Sequence, residues 1–239
     1  MKFFSGKIRL LPAIICTPLI LLVLGGIITT GLVKYSERNE KRALMTLAST
    51  VAAGFCDIQF EDLKGSSEDQ NTQLYANIRT LLFRIRQANP EARFVYLFGE
   101  RRGQVVFLVD AEPVESKNFS PPGEVYDEAT PELRNIFSNG KAMIEGPFKD
   151  RWGVWVSGLA PVINPRTNSV SAILGIDINA RNWARTVNAF LWLGISLTIF
   201  PTLLVFLILI NVRRTTRSNT LLRKEITDLE RAEKVIYDS

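Results

Sequence analysis

Residues 148–162 read FKDRWGVWVSGLAPV, a charged and aromatic run that passes into a strand. From Val154 to Pro161 the residues are mostly β-branched, aromatic or small, and the two-residue repeat of a strand places Trp155 with Ser157, opposite Val154 and Val156. The turn NPRTN, Asn164 to Asn168, sends the chain back into a last apolar run, Ser169 to Ile178. A strand, a tight turn and a returning strand make an antiparallel pair, and this pair decides the class of the region.

Working outward, FVYLFGE (94–100) and QVVFLVDA (104–111) flank a short turn ending at Gly103, which reads as a second hairpin with Phe94, Tyr96 and Phe98 on one face. A Pro-, Glu- and Ser-rich loop follows. Thr130-Pro131-Glu132 then supplies an N-cap, a first-turn proline and an acid near a helix start, and Asn139-Gly140 ends that helix. Ala142 to Ile144 is expected to add a short strand. Before the first hairpin, Leu44, Leu47, Val51 and Phe55 recur at helical spacing. KGSSEDQN (64–71) breaks that helix. A second has Leu74, Ile78, Leu81, Leu82 and Ile85 on one face and ends near Asn89-Pro90. The fold class is therefore α+β, with a long N-terminal helix and a mainly antiparallel sheet.

This region is bracketed by apolar runs. Leu10 to Val33 and Val187 to Val212 carry no charge. At about 1.5 Å per residue each exceeds the roughly 30 Å core of a bilayer. Proline is tolerated in such helices because neighbouring groups satisfy the freed carbonyls, so Pro12, Pro18 and Pro201 do not argue against spans. The first run is longer than the apolar part of a cleaved signal and is read as an anchor. Lys2, Lys7 and Arg9 precede it, and Arg213, Arg214 and Arg217 follow the second, which puts both termini in the cytoplasm. The expected division is a cytoplasmic tail at 1–9, a span at 10–33, an extracytoplasmic domain at 34–186, a span at 187–212 and a cytoplasmic helical linker at 213–239. Trp183 is expected as an interfacial anchor beside the second span. In the linker, Leu222, Ile226, Leu229, Glu233 and Ile236 follow a heptad seam and predict a short coiled coil.

Charge and composition exclude several functions. The net charge is +5, yet residues 34–185 hold 19 basic and 19 acidic residues, so the excess lies in the tails. A nucleic-acid binder would carry a basic face on its folded part. There is no histidine, which removes a Ser-His-Asp triad, a His-ligated zinc site and a phosphoaccepting histidine from these residues. Cys16 lies in a span and Cys56 outside it, so they do not pair, and no CxxC metal motif is present. No phosphate-cradling glycine loop appears, and no cofactor or enzymatic activity is assigned. A structural or assembly role without a ligand is the alternative from a different class.

The stretch VVFLVDAEP…FSPPGEVYDEATPEL…EGPFKDRWGVWVSGLAPV…AILGIDINARNW resembles the Cache class of PAS-like extracytoplasmic sensors, and RKEITDLERAEKVIYDS resembles the helical linkers that precede cytoplasmic PAS domains. Such sensors are attached to histidine kinases and sometimes to diguanylate cyclases; a chemoreceptor is a further alternative. The resemblance implies a two-pass receptor of the bacterial inner membrane and a curved antiparallel sheet backed by the long helix. It also implies a small-molecule pocket on the other face and a parallel homodimer through the helices. The kinase, cyclase or methyl-accepting region of such receptors is not within these residues, so the output module is expected to lie outside this chain.

Several residues carry candidate chemistry. Arg151 presents a planar fork that suits a carboxylate, such as that of an organic acid or amino acid; it is otherwise a salt-bridge partner of Asp150 or Glu145. Trp155 and Ser157 either line the pocket or belong to the core, and Trp152 is a lid or a packing residue. Asp177 sits in an apolar strand where an unpaired carboxylate is costly, so it meets a ligand ammonium or bridges to Arg181. Asp110 is a ligand contact or a turn former at its strand's end. Tyr96 and Tyr126 offer hydroxyls to a polar ligand. The expected pocket lies between the sheet and the Ser120–Gly146 loop.

Overall fold

The computed structural model describes residues 10–237. The expected tail at 1–9, with Lys2, Lys7 and Arg9, lies outside the described residues, as do the seam side chains of Glu233 and Ile236. The chain divides into two units, one formed by residues 10–34 and 188–237 and the other by Tyr35–Val187.

The first unit pairs the N-terminal part of helix α1 (Leu10–Ala53) with most of helix α4 (Ala180–Tyr237). Both helices are long and apolar enough to cross a membrane. Ile15, Leu19, Leu197 and Leu203 are exposed, as lipid-facing residues would be. Small residues set the approach of the pair. A Cβ on Gly25 would collide with Thr198, and one on Gly194 would lie 2.6 Å from the Thr29 hydroxyl. Each threonine satisfies its hydroxyl on its own helix, Thr29 on the Gly25 carbonyl and Thr198 on the Gly194 carbonyl. Leu222, Ile226 and Leu229 are exposed along the unbroken α4.

The second unit is an α+β domain built on a five-stranded antiparallel sheet in the order β2-β1-β5-β4-β3. Its strands are β1 (Ala92–Arg101), β2 (Gln104–Asp110), β3 (Met143–Asp150), β4 (Gly153–Ile163) and β5 (Val170–Asn179). Helix α2 (Gln73–Ala88) begins at Thr72, whose hydroxyl accepts the Tyr75 N–H. Helix α3 (Pro131–Asn139) begins at Thr130 in the same way and ends on Gly140 in a left-handed conformation.

Strand alternation gives the sheet two apolar faces. Val95, Leu97, Val156, Leu174 and Ile176 meet Leu44, Ala48 and Ala52 of α1 and Ile78 and Leu82 of α2 in one core. Gly158 permits the close approach of α1, because a Cβ there would stand 2.9 Å from Leu44. The opposite face carries Phe94, Tyr96, Phe98, Phe107, Trp155 and Ile173, covered in part by Leu133 and Ile136 of α3.

Three expectations need correction. The strand placed at Ala142–Ile144 runs as far as Asp150, so Phe148, Lys149 and Asp150 belong to a strand and only Arg151 and Trp152 form the turn. Trp183 is buried in the helix-side core of the domain rather than standing at an interface, because α4 starts as soon as β5 ends and its first turn packs on the domain. Asp177 makes no ion pair with Arg181 among the described residues; its partner is a tyrosine.

Candidate ligand pocket

The face opposite α1 and α2 holds a cavity walled by rings. Phe94, Tyr96 and Phe98 come from β1, Phe107 from β2, Tyr126 from the following loop and Trp152 from the β3–β4 turn. They interlock edge-to-face and stacked, with Phe98 and Tyr126 5.0 Å apart at 19° and Tyr126 and Trp152 6.2 Å apart at 28°. Asn118 and Ser120 close one side. The space left is about 20 Å³, room for roughly one water.

Carboxylates enter this wall from three strands: Asp110, Asp150 and Asp177. Asp110 reaches it through a bulge. Leu97 pairs with Val109 while Phe98 pairs with Phe107, so Leu108 is an extra residue in β2. Leu108 and Val109 both point to the helix-side core, and the alternation resumes with Asp110 on the pocket side. Its two oxygens accept the N–H groups of Glu112 and Ser120, pinning both ends of the loop beside the cavity. Burial pushes its pKa up to about 6, against the pull of those two bonds.

Asp177 lies opposite Ser157 on β4 and accepts the Tyr96 hydroxyl at 3.0 Å. Burial raises its pKa to about 7, although the Ser157 and Tyr96 hydroxyls pull it back. The same burial, with Asp177 beside it, holds the Tyr96 phenol well above its usual value. Asp150 caps the turn: one oxygen accepts the N–H groups of Trp152 and Gly153 and the Trp155 indole N–H. Burial raises Asp150 as well, against these bonds.

The expected residues thus fall into two groups. Tyr96, Asp110, Tyr126, Trp152 and Asp177 line the cavity. Trp155 and Ser157 stand behind it, Trp155 holding Asp150 and packing edge-on to Phe94 at 5.0 Å, and Ser157 facing Asp177. Arg151 is outside the lining. Its partners are neither Asp150 nor Glu145 but Glu124 at 2.9 Å, Glu128 at 3.4 Å and the Val125 carbonyl, and its guanidinium lies over the Trp152 ring. It clasps the β3–β4 turn to the segment carrying Tyr126. Glu145 instead accepts the Thr130 hydroxyl. Sequence reading did not single out Phe94, Phe98, Phe107, Asn118, Ser120 or Asp150 as pocket residues. Phe107 had a signal in its pairing with the aromatic face of β1; the loop residues had none.

Beside the pocket, Glu112 forms ion pairs with Arg86 of α2 and Arg93 of β1, both at 2.8 Å, and accepts the Ser116 hydroxyl. Burial alone would raise its pKa, but the Arg93 and Ser116 hydrogen bonds and the Arg86 charge leave it lowered.

No family model matches this chain, and no curated protein does. Solved structures are similar to it at a distance. The ligand-binding domain of the Campylobacter jejuni chemoreceptor Tlp3, in complex with L-valine, is 13% identical at a TM-score of 0.46, over 72% of this chain and 66% of that one. The Tlp3 sensory domain with isoleucine bound is also 13% identical, with a TM-score of 0.47 and the same coverage. An extracellular domain assigned to a histidine kinase, mmHK1S-Z2, is 16% identical at a TM-score of 0.39, over 64% of this chain and 58% of that one. The chain spans less than two thirds of each of these domains.

Proposed function

We propose that this chain is the sensor and transmembrane part of a two-pass receptor of the bacterial inner membrane, with a Cache-like domain outside the cytoplasm and both termini inside. The observation that carries this reading is the pocket together with its connection. Asp177 lines the cavity from β5, β5 ends at Asn179, and α4 starts at Ala180 and runs unbroken through an apolar span to Tyr237. A small molecule that prefers one arrangement of the pocket shifts β5, and the helix it feeds carries the shift inward. The ligand biases that equilibrium only through different affinities for the two states. Two copies pair in parallel through α1 and the exposed Leu222–Ile226–Leu229 seam, and the receiving module is of the histidine-kinase type. A chemoreceptor or diguanylate cyclase output would use the same pocket and helix.

The test is a thermal-shift screen of the full chain in lipid nanodiscs against amines, amino acids and carboxylates. A ligand at about 100 times its Kd adds about 2.7 kcal/mol to the folded state. The shift should vanish in Trp152→Ala and Tyr126→Ala. Hits unaffected by both changes would place binding elsewhere. Absence of any hit would favour the structural or assembly role, and chemical conversion of a hit would make the domain an enzyme.

A further inference from the structure

The charge of the pocket identifies its ligand more closely than its shape does. Asp110, Asp150 and Asp177 project into the cavity, and among the described residues no lysine or arginine lines it. The nearby guanidinium groups are engaged elsewhere, Arg151 by Glu124 and Glu128 and both Arg86 and Arg93 by Glu112. Asp177, 4% exposed, receives a hydroxyl where a buried carboxylate would ordinarily meet a cation.

We infer that the pocket, once Trp152 and Tyr126 part to enlarge the space left for about one water, takes a small organic cation, an ammonium without a carboxylate of its own, in preference to an α-amino acid. An ammonium brings N–H donors to Asp177 and positive charge to the faces of Tyr126, Trp152 and Phe107. A ligand carboxylate would have to sit among three carboxylates and six aromatic rings with no cation to receive it. Like charge and desolvation then both oppose it. The inference rests on the pocket being the sensor's binding site, and it assigns that site a ligand class.

Four probes separate the terms: isobutylamine, tetramethylammonium, valine and isovalerate, each titrated calorimetrically into the full chain in nanodiscs. The expected result is binding of isobutylamine, tetramethylammonium or both, with valine and isovalerate at least tenfold weaker. Asp177→Asn should weaken the bound cation at least tenfold, and Glu68→Gln, an exposed residue outside the lining that pairs only with Lys64, should leave it unchanged. If Asp177→Asn does not fold, the unaltered chain gives the same information, because cation affinity must rise as pH climbs through about 6 to 7 and the carboxylates ionise. Valine or isovalerate binding as tightly as the cations, with loss in Trp152→Ala, would overturn the ligand class and leave the sensor reading standing. Cation binding indifferent to Asp177→Asn and to pH would also overturn it. Failure of all four probes would overturn the cation inference, and the sensor reading would then stand or fall on the wider screen.

Discussion

The Tyr96 hydroxyl donates to the Asp177 carboxylate across 3.0 Å, joining two neighbouring strands on the pocket side of the sheet. Tyr96 lies flat over Gly175, its direct partner on β5, and so reaches the side chain two residues on.

The burial of Asp177, which that bond only partly offsets, makes stability depend on pH. Burial raises the folded pKa of Asp177 to about 7 and that of Asp110 to about 6, both above their unfolded values, so the folded state holds more protons across this interval. Stability is greatest below the unfolded values and falls as pH rises through about 6 to 7. Asp150 and Glu145 act in the same sense. Glu112, lowered by its arginines, acts oppositely and loses its contribution as pH falls through its folded value. The groups facing Asp177 are Tyr96, Tyr126, Asp150 and Asp110, none of them a cation. Asp177→Asn should therefore raise the melting temperature at neutral pH and flatten the slope. Melts across the pH range check this, and an unchanged slope would place the titration elsewhere.

Gly175→Ala should push Tyr96 off Asp177. A Cβ at this position would overlap the Tyr96 ring, and overpacking of this kind costs about 1–3 kcal/mol. Urea unfolding measures the loss. Combining it with Tyr96→Ala should cost less than the sum of the single changes, because the clash is removed; strict additivity would show that the residues do not interfere.

Glu112→Gln should destabilise the domain by roughly 1.5–3 kcal/mol, the range for hydrogen bonds to charged groups. Arg86 and Arg93 both close on this carboxylate, whose side chain is 5% exposed. Its removal leaves two guanidinium groups together and frees Ser116. Hydrogen exchange over residues 112–120 should rise relative to the sheet, and unchanged protection there would mean that Asp110 alone holds the loop.

Arg151→Ala separates a clasp from a ligand grip. The side chain is 37% exposed, so loss of its ion pairs should cost less than about 1 kcal/mol. Because it ties the turn bearing Trp152 to the segment bearing Tyr126, association should quicken, followed by stopped-flow tryptophan fluorescence. A large loss of affinity with an unchanged association rate would instead give Arg151 a direct hold on the ligand.

Much of this design was legible from local pattern. Capping at Thr130 and termination at Gly140 need only neighbouring residues, as does the parity that sets Trp155 with Ser157. The pocket itself depended on relationships that local pattern does not carry. Simple alternation from Phe107 would turn Asp110 into the helix-side core; the bulge at Leu108 reverses it. Arg151 has acids close in sequence, Asp150 beside it and Glu145 six residues back, yet it pairs with Glu124 and Glu128, because the β3–β4 turn meets a loop distant in sequence.

The sequence by itself determined the two apolar helices, the α+β class, the hairpins and the aromatic face of β1, because each follows from hydrophobic period, turn chemistry and the length a bilayer demands. Only the tertiary structure decided that Asp110, Asp150 and Asp177 meet, that a tyrosine rather than an arginine answers Asp177, and that Arg151 stands outside the cavity. Those outcomes depend on strand order and on a single extra residue in one ladder, and burial then sets the charge state of what they bring together.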